Sequence, residues 1–153
     1  MLRISRLTDY ATVILASLAG GRLASAADIA ERTRIGLPTV SKLLKELQRA
    51  GLVHSVRGAR GGYQLARPAA SINAAEIIAA VEGPMALTEC ADGAGRCGIE
   101  ATCLVGHGWQ RISRAIRRAL VEVSLEELVS REVTFAAPDL LRLAAPTRLP
   151  ARG

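Results

Sequence analysis

The stretch DIAERTRIGLPTVSKLLKELQRAGLVHSVRGARGGYQLA, residues 28–66, decides the fold. It opens inside a helix whose start is marked by Ser25, a side chain suited to accept from the free N–H groups of a first turn, with Ala27, Ile29 and Ala30 expected to face inward. Arg34, Ile35, Gly36 and Leu37 make a short turn. Pro38 follows, suited to a first helical position because its missing N–H would be unpaired there anyway. In PTVSKLLKELQRAG, Val40, Leu43, Leu44 and Leu47 share one face and Gly51 supplies the C-terminal stop. Two helices joined by a four-residue turn form a helix-turn-helix. After Gly51 the period changes: Leu52, Val53 and Val56 lead to a tip containing Gly58, Gly61 and Gly62, and Tyr63 and Leu65 alternate on the return limb. A hairpin with Arg57 and Arg60 at its tip, directly after a helix-turn-helix, is a wing. The expected fold class is mainly α: a winged helix-turn-helix with a small β-hairpin and a long C-terminal helix.

Working outward, Leu7, Ala11, Ile14, Leu15 and Leu18 recur at helical spacing before the turn GGRLAS. Downstream, Asn73 caps NAAEIIAAVEG, which ends at Gly83 and Pro84. A long helix is expected from about Val105 or Gly108, in which Trp109, Ile112, Ile116, Leu120 and Val123 follow spacings of 3, 4, 4 and 3, a seam of coiled-coil character. Its other face carries Arg111, Arg114, Arg117 and Arg118. The module before it is small and largely self-sufficient, so the seam points to a homodimer. Ser124 and Glu127 form a capping box for a short last helix. The tail has Pro138, Pro146 and Pro150 without a clear period and is expected to be mobile. The division is therefore 1–67 winged helix-turn-helix, 68–87 connecting helix, 88–107 cysteine loop, 108–132 dimerisation helix and 133–153 tail. There is no internal repeat.

The 153 residues carry a net charge of +6, unevenly placed. Residues 1–67 hold eleven Arg/Lys and four Asp/Glu, or +7, whereas residues 68–153 hold nine and ten, or −1. A basic N-terminal module beside a near-neutral remainder points to a polyanion, most often nucleic acid. Aromatic residues are only 3% of the chain, so aliphatic side chains must fill the core. No apolar run approaches the roughly 20 residues that span a bilayer, which excludes a membrane partner of that kind. Arg3 and Arg6 before TVILASLAGG imitate a secretory signal, but Asp9 interrupts it and the apolar positions keep helical spacing. With an odd number of cysteines, which suits a secreted disulfide framework poorly, the chain is expected to be cytoplasmic.

A recognition helix enters the major groove with its early turns while basic neighbours hold phosphates. Thr39, Ser41 and Lys42 lie opposite the leucines and are the candidates for groove contact; Lys45 and Arg49, farther along, suit phosphates. Arg57 and Arg60 on the wing suit the adjoining minor groove. The expected partner is a double-stranded DNA operator rather than a small-molecule substrate.

All three cysteines fall in CADGAGRCGIEATCLVGH, residues 90–107, with the spacing Cys-x6-Cys-x5-Cys-x3-His. Three soft thiolates and an imidazole suit an iron-sulfur cluster or tetrahedral zinc, and spacings of five and six are looser than the short knuckles usual for structural zinc. An enzyme built on a nucleophilic cysteine with His107 as base lacks a recognisable carboxylate partner, so the chain is not expected to be an enzyme.

The segments LTDYATVILASLA, DIAERTRIGLPTVSKLLKELQRAGLV and SVRGARGGYQLA together resemble the winged-helix regulators typified by IscR and NsrR, over residues 1 to about 132. Within them the chain looks most like the regulators of the SUF iron-sulfur assembly system. The Arg-Gly-x-x-Gly-Gly-Tyr-x-Leu hairpin is the most specific mark. The resemblance implies a homodimeric transcriptional regulator, commonly a repressor, whose DNA binding is controlled by an iron-sulfur cluster, [2Fe-2S] favoured over [4Fe-4S]. It places Cys90, Cys97 and Cys103 as ligands. The fourth would be His107, one residue farther from the last cysteine than is usual, or Asp9 of the partner subunit, which stands in a matching Thr-Asp-Tyr motif. A structural zinc site, and a nitric oxide or redox sensor of the same family, are the alternatives.

Overall fold

The computed structural model describes residues 4–84 and 105–130. Its centre is α3, Leu37–Arg49, whose Val40, Leu43, Leu44 and Leu47 are all fully buried. The helix starts one residue before Pro38. That puts the proline at the second position, where a missing N–H also leaves no bond unmade. Its end is held by Gly51 at φ +71: the Gly51 N–H donates to the Gln48 carbonyl at 3.0 Å and the Leu52 N–H to the Leu47 carbonyl at 2.9 Å. This pair of bonds is a Schellman motif, which satisfies two end carbonyls and turns the buried Leu52 back toward the core.

Two further helices form the wall behind α3. In α1, Arg6–Leu18, the buried side chains are Thr8, Ala11, Ile14, Leu15 and Leu18. Leu7, expected inside, is 37% exposed, and Thr8 is 2% exposed in its stead. The Thr8 hydroxyl finds a carboxylate partner in Glu82, so its burial leaves no polar atom unpaired. In α2, Ala26–Thr33, Ser25 and Asp28 close a capping box: the Asp28 N–H donates to Ser25 Oγ at 3.1 Å and the Ser25 N–H to Asp28 Oδ2 at 2.9 Å. Ile29 is fully buried, with Ala26 and Ala30 packed beside it. Ala27 is exposed, contrary to the sequence expectation, because the inward face runs through positions 26, 29 and 30 at i, i+3 and i+4.

The wing is an antiparallel pair, β1 (Val53–Val56) and β2 (Gly62–Leu65), in the register Val53 to Leu65 and Val56 to Gly62. Its glycines have distinct reasons. Gly58 sits at φ +124, and a Cβ on Gly62 would lie 2.6 Å from the Ala24 carbonyl oxygen. That close approach lets the Tyr63 N–H donate to the Ala24 carbonyl at 2.7 Å and the Ala24 N–H to the Tyr63 carbonyl at 3.0 Å. The segment before α2 is thereby stitched to the wing's return strand.

The remaining elements are a single 3-10 turn, Ala69–Ser71, and the helices α4 (Ala74–Glu82), α5 (Gly106–Val121) and α6 (Leu125–Val129). Capping boxes open α4 (Asn73 with Glu76) and α6 (Ser124 with Glu127), as the sequence indicates. Arg67 pairs with Glu76 at 2.6 Å. After α5 the chain returns to the head: the Leu125 N–H donates to the Ile72 carbonyl at 2.7 Å and the Ala74 N–H to the Val123 carbonyl at 2.9 Å. Leu125, Ile72 and Ile77 join α1 and α3 in one core.

Replacing Gly62 with alanine should lower stability by about 1–3 kcal/mol, because a backbone carbonyl cannot step aside as a flexible side chain would. Gly20→Ala, with open space around the added carbon, should change stability little, and denaturant unfolding of the two variants compares them.

Candidate nucleic-acid interface

Four buried side chains fix which face α3 offers to solvent. At 100° per residue the direction opposite Val40, Leu43, Leu44 and Leu47 passes through Pro38, Lys42, Lys45 and Arg49, and all four are exposed. Thr39 and Ser41 lie on the two flanks of that line and are half-buried. Arg57 and Arg60 are exposed in the turn between β1 and β2. Helix and wing are joined directly by Gln48, whose Nε2 donates to Ser55 Oγ at 3.3 Å. Lys42, Lys45, Arg57 and Arg60 make no ion pair among the described residues, where the single salt bridge is Arg67 with Glu76. His54, beside the wing, is a surface residue whose ring faces Gln64 across the strand pair at 2.6 Å.

The candidate metal ligands are only partly within view. Cys90, Cys97 and Cys103 lie outside the described residues, as does the tail 133–153. His107 occupies the second position of α5 and Asp9 the first turn of α1, both exposed. Among the described residues no three potential ligands cluster. The donor set itself fits an iron-sulfur cluster: three thiols within fourteen residues, and an imidazole or a carboxylate each free of burial.

One contact here has no signal in the sequence. Glu82, the last residue of α4, accepts from the Ser5 N–H at 3.1 Å and from the Thr8 hydroxyl. Ser5 is itself the cap of α1, accepting from the Thr8 N–H at 3.2 Å. The end of α4, eight residues before Cys90, is thus fastened to the start of the helix that carries Asp9. The partners are 74 and 77 residues apart in sequence, so neither spacing nor capping pattern foretells the pairing.

α5 presents two different surfaces. Toward its own chain it offers small residues, with Gly106 and Ser113 buried. Its expected seam is in the open at Trp109, 41% exposed, and Ile112, 46% exposed, and half-buried at Ile116, Leu120 and Val123. None of the five is fully buried in this single chain. Among the described residues no helix is long and apolar enough to cross a membrane.

A buried helical pair, an outward basic helix face and a glycine-built wing stitched to the helix pair define a winged helix-turn-helix DNA-binding protein. The family Rrf2, iron-dependent transcriptional regulator, matches residues 4–131, and the chain belongs to it. The HTH-type transcriptional regulator IscR of Cereibacter sphaeroides is 36% identical over 151 residues, covering 93% of this chain and 97% of the relative. Among solved structures, T. potens IscR superposes with a TM-score of 0.61 at 28% identity, over 99% of this chain and 94% of that one. CymR, the global cysteine regulator of B. subtilis, superposes with a TM-score of 0.64 at 32% identity, over 84% and 97%. The chain is an IscR-like helix-turn-helix transcriptional regulator.

The Thr8 hydroxyl and then the Ser5 N–H hold the Glu82 carboxyl below the usual carboxylate range. A folded value below the unfolded one means the stabilisation is complete above the unfolded value, near about pH 4.3, and is lost as pH falls through the lower folded value. Glu82→Gln should reduce stability by about 0.5–1.5 kcal/mol at pH 7 and by less at pH 3.5, which melting curves at the two pH values would read out.

Proposed function

We propose that this regulator is a cytoplasmic homodimer that represses iron-sulfur cluster assembly genes, its DNA binding set by an iron-sulfur cluster, with [2Fe-2S] favoured over [4Fe-4S]. The observation that carries the reading is the match to IscR along nearly the whole chain, in a sequence that also keeps three cysteines and a histidine within eighteen residues. Cys90, Cys97 and Cys103 would hold the cluster, completed by His107 or by Asp9 of the partner subunit. Exposure of both His107 and Asp9 supports either assignment. The bound cluster supplies a redox-sensitive and losable anchor for the four ligands.

The chain's own residues do the rest. The exposed seam of Trp109 and Ile112 suits a second copy, because two apolar stripes of this kind bury each other. Dimerisation sets two α3 helices at a fixed separation, and half-sites about 34 Å apart make that separation decisive for operator affinity. Lys42 and Lys45 would meet phosphates or base edges, Thr39 and Ser41 the groove walls, and Arg57 and Arg60 the minor groove. The division into head (1–67), connecting helix (68–87), cysteine segment (88–107), dimerisation helix (108–132) and tail (133–153) belongs to the same proposal.

Protein purified without oxygen should be brown and contain iron and sulfide in equal amounts. Colourless protein with stoichiometric zinc would replace the cluster reading with a structural zinc site. Cysteine-to-alanine variants at 90, 97 and 103 should each bind operator DNA differently from the loaded protein; identical binding would end the switch. His107→Ala and Asp9→Ala, compared by visible spectrum, identify the fourth ligand. Lys42→Ala with Lys45→Ala should weaken binding to every sequence and lower the salt slope by about one unit per lysine, with fluorescence anisotropy as the measurement. Ile112→Glu should yield monomers in sedimentation.

A further inference from the structure

α5 carries a second stripe that the regulator reading leaves without a task. Projected at 100° per residue, His107, Arg111, Arg114 and Arg118 fall on one line, opposite the seam formed by Trp109, Ile112 and Ile116. All four are exposed, as is Arg117 beside them. Residues 105–121 contain four arginines and not one acidic residue. Among the described residues none of these arginines is in a salt bridge, and the one hydrogen bond recorded for them is Arg114 Nε donating to the Gln110 carbonyl at 3.3 Å.

Such a face is unfavourable left alone. Arg111 with Arg114, Arg114 with Arg117, and Arg114 with Arg118 are like charges at i,i+3 and i,i+4. Each pair destabilises the helix slightly, and only Arg117 and Arg118, near the helix end, gain from the dipole. An ordinary solvated helix face relieves such pairs with interspersed acids, which this one lacks. The stripe from position 107 to 118 is about 17 Å long, and a duplex carries one phosphate charge per about 1.7 Å of axis, so an aligned backbone presents several phosphates to the stripe. Guanidinium groups also match phosphate oxygens two at a time.

The geometry points to the outward face of α5, through Arg111, Arg114 and Arg118, as a second, sequence-independent contact surface for the phosphate backbone of duplex DNA, separate from α3 and the wing. It lies opposite the seam, so pairing of two seams leaves it open on both copies. It rests on the reading of this chain as a DNA-binding regulator, and contributes affinity and salt dependence without contributing sequence preference.

The test uses the full-length protein and a duplex without an operator, with affinity measured by anisotropy across a salt series. Wild type, Arg111→Gln/Arg114→Gln/Arg118→Gln, and Lys42→Ala/Lys45→Ala are compared. The arginine variant should lose about 2–3 units of the slope of log affinity against log salt per chain, at roughly 0.9 per phosphate contact. It should also keep its ratio of operator to non-operator affinity and melt no lower than wild type, since it removes like-charge pairs. If its slope matches wild type while the lysine variant's falls, the α5 surface is wrong and the helix-turn-helix reading stands. If wild type itself binds no duplex, the regulator reading fails first. A change in oligomeric state with an unchanged slope would assign the stripe to a second copy, and capture of an acidic protein with an unchanged slope would assign it to that protein; either overturns the proposal.

Discussion

The burial of one face of α3 is the constraint on which the rest depends. Val40, Leu43, Leu44 and Leu47 are all inaccessible to solvent, and each buried aliphatic side chain contributes about 1.5–3 kcal/mol. Rotating the helix by even one residue would expose several of them at once. Pro38, Lys42, Lys45 and Arg49 are therefore aimed outward as a consequence of packing, with no contact of their own needed to hold the direction. The same argument extends to the wing. Leu52, held by the Schellman bonds to the end of α3, leads into β1, which runs to the turn carrying Arg57 and Arg60, so the basic tip is registered to the helix through backbone hydrogen bonds.

What surrounds α3 is tied together by contacts that skip long stretches of chain. Ala24 pairs with Tyr63, Ile72 with Leu125, Ala74 with Val123, and Ser5 and Thr8 with Glu82. Each joins a helix end to a distant segment, where free N–H groups concentrate and where a carboxylate or carbonyl gains most. Three capping boxes serve the same need locally, and two of their carboxyls, Asp28 and Glu127, are pulled down first by hydrogen bonds from the capping serines. Helix ends, rather than helix middles, are where this small core is made rigid.

Much of this was legible in the sequence because periodicity and caps are local. The leucines of α3, the caps Ser25, Asn73 and Ser124, and the glycine stop at 51 could all be read from neighbours within four residues. Ala27 falls off the inward row 26, 29 and 30, and the exposure of Leu7 depends on tertiary neighbours that helical spacing does not report. Thr8 rather than Leu7 is buried, and its hydroxyl is satisfied there by Glu82 from another helix. The motif glycines were recognisable as a pattern, but the reason for Gly62, the carbonyl of Ala24, is 38 residues away. For the candidate ligands, spacing names the thiols but leaves two choices for the fourth donor, because Asp9 would come from a second chain.

The attachment of α5 bears on how a signal at the cysteines would reach the DNA. Among the described residues the fully buried positions of α5 are small, Gly106 and Ser113, while Ile116 and Leu120 are half-buried, so no large apolar side chain of the helix is sunk in its own core. Its C-terminal end, by contrast, is fixed: Val123 is bonded to Ala74, and Leu125 is bonded to Ile72 and sunk in the core. A helix fastened by backbone bonds at its C-terminal end turns, when it moves, about that end as a lever. In sequence the three cysteines lie between α4, whose last residue Glu82 is clamped to α1, and the other end of α5. In the proposed reading, ligands that draw Cys90, Cys97, Cys103 and His107 together would act at the opposite end of that lever. The displacement would be largest where the seams meet and smallest at the head, so the spacing between two recognition helices could change while each head stays folded.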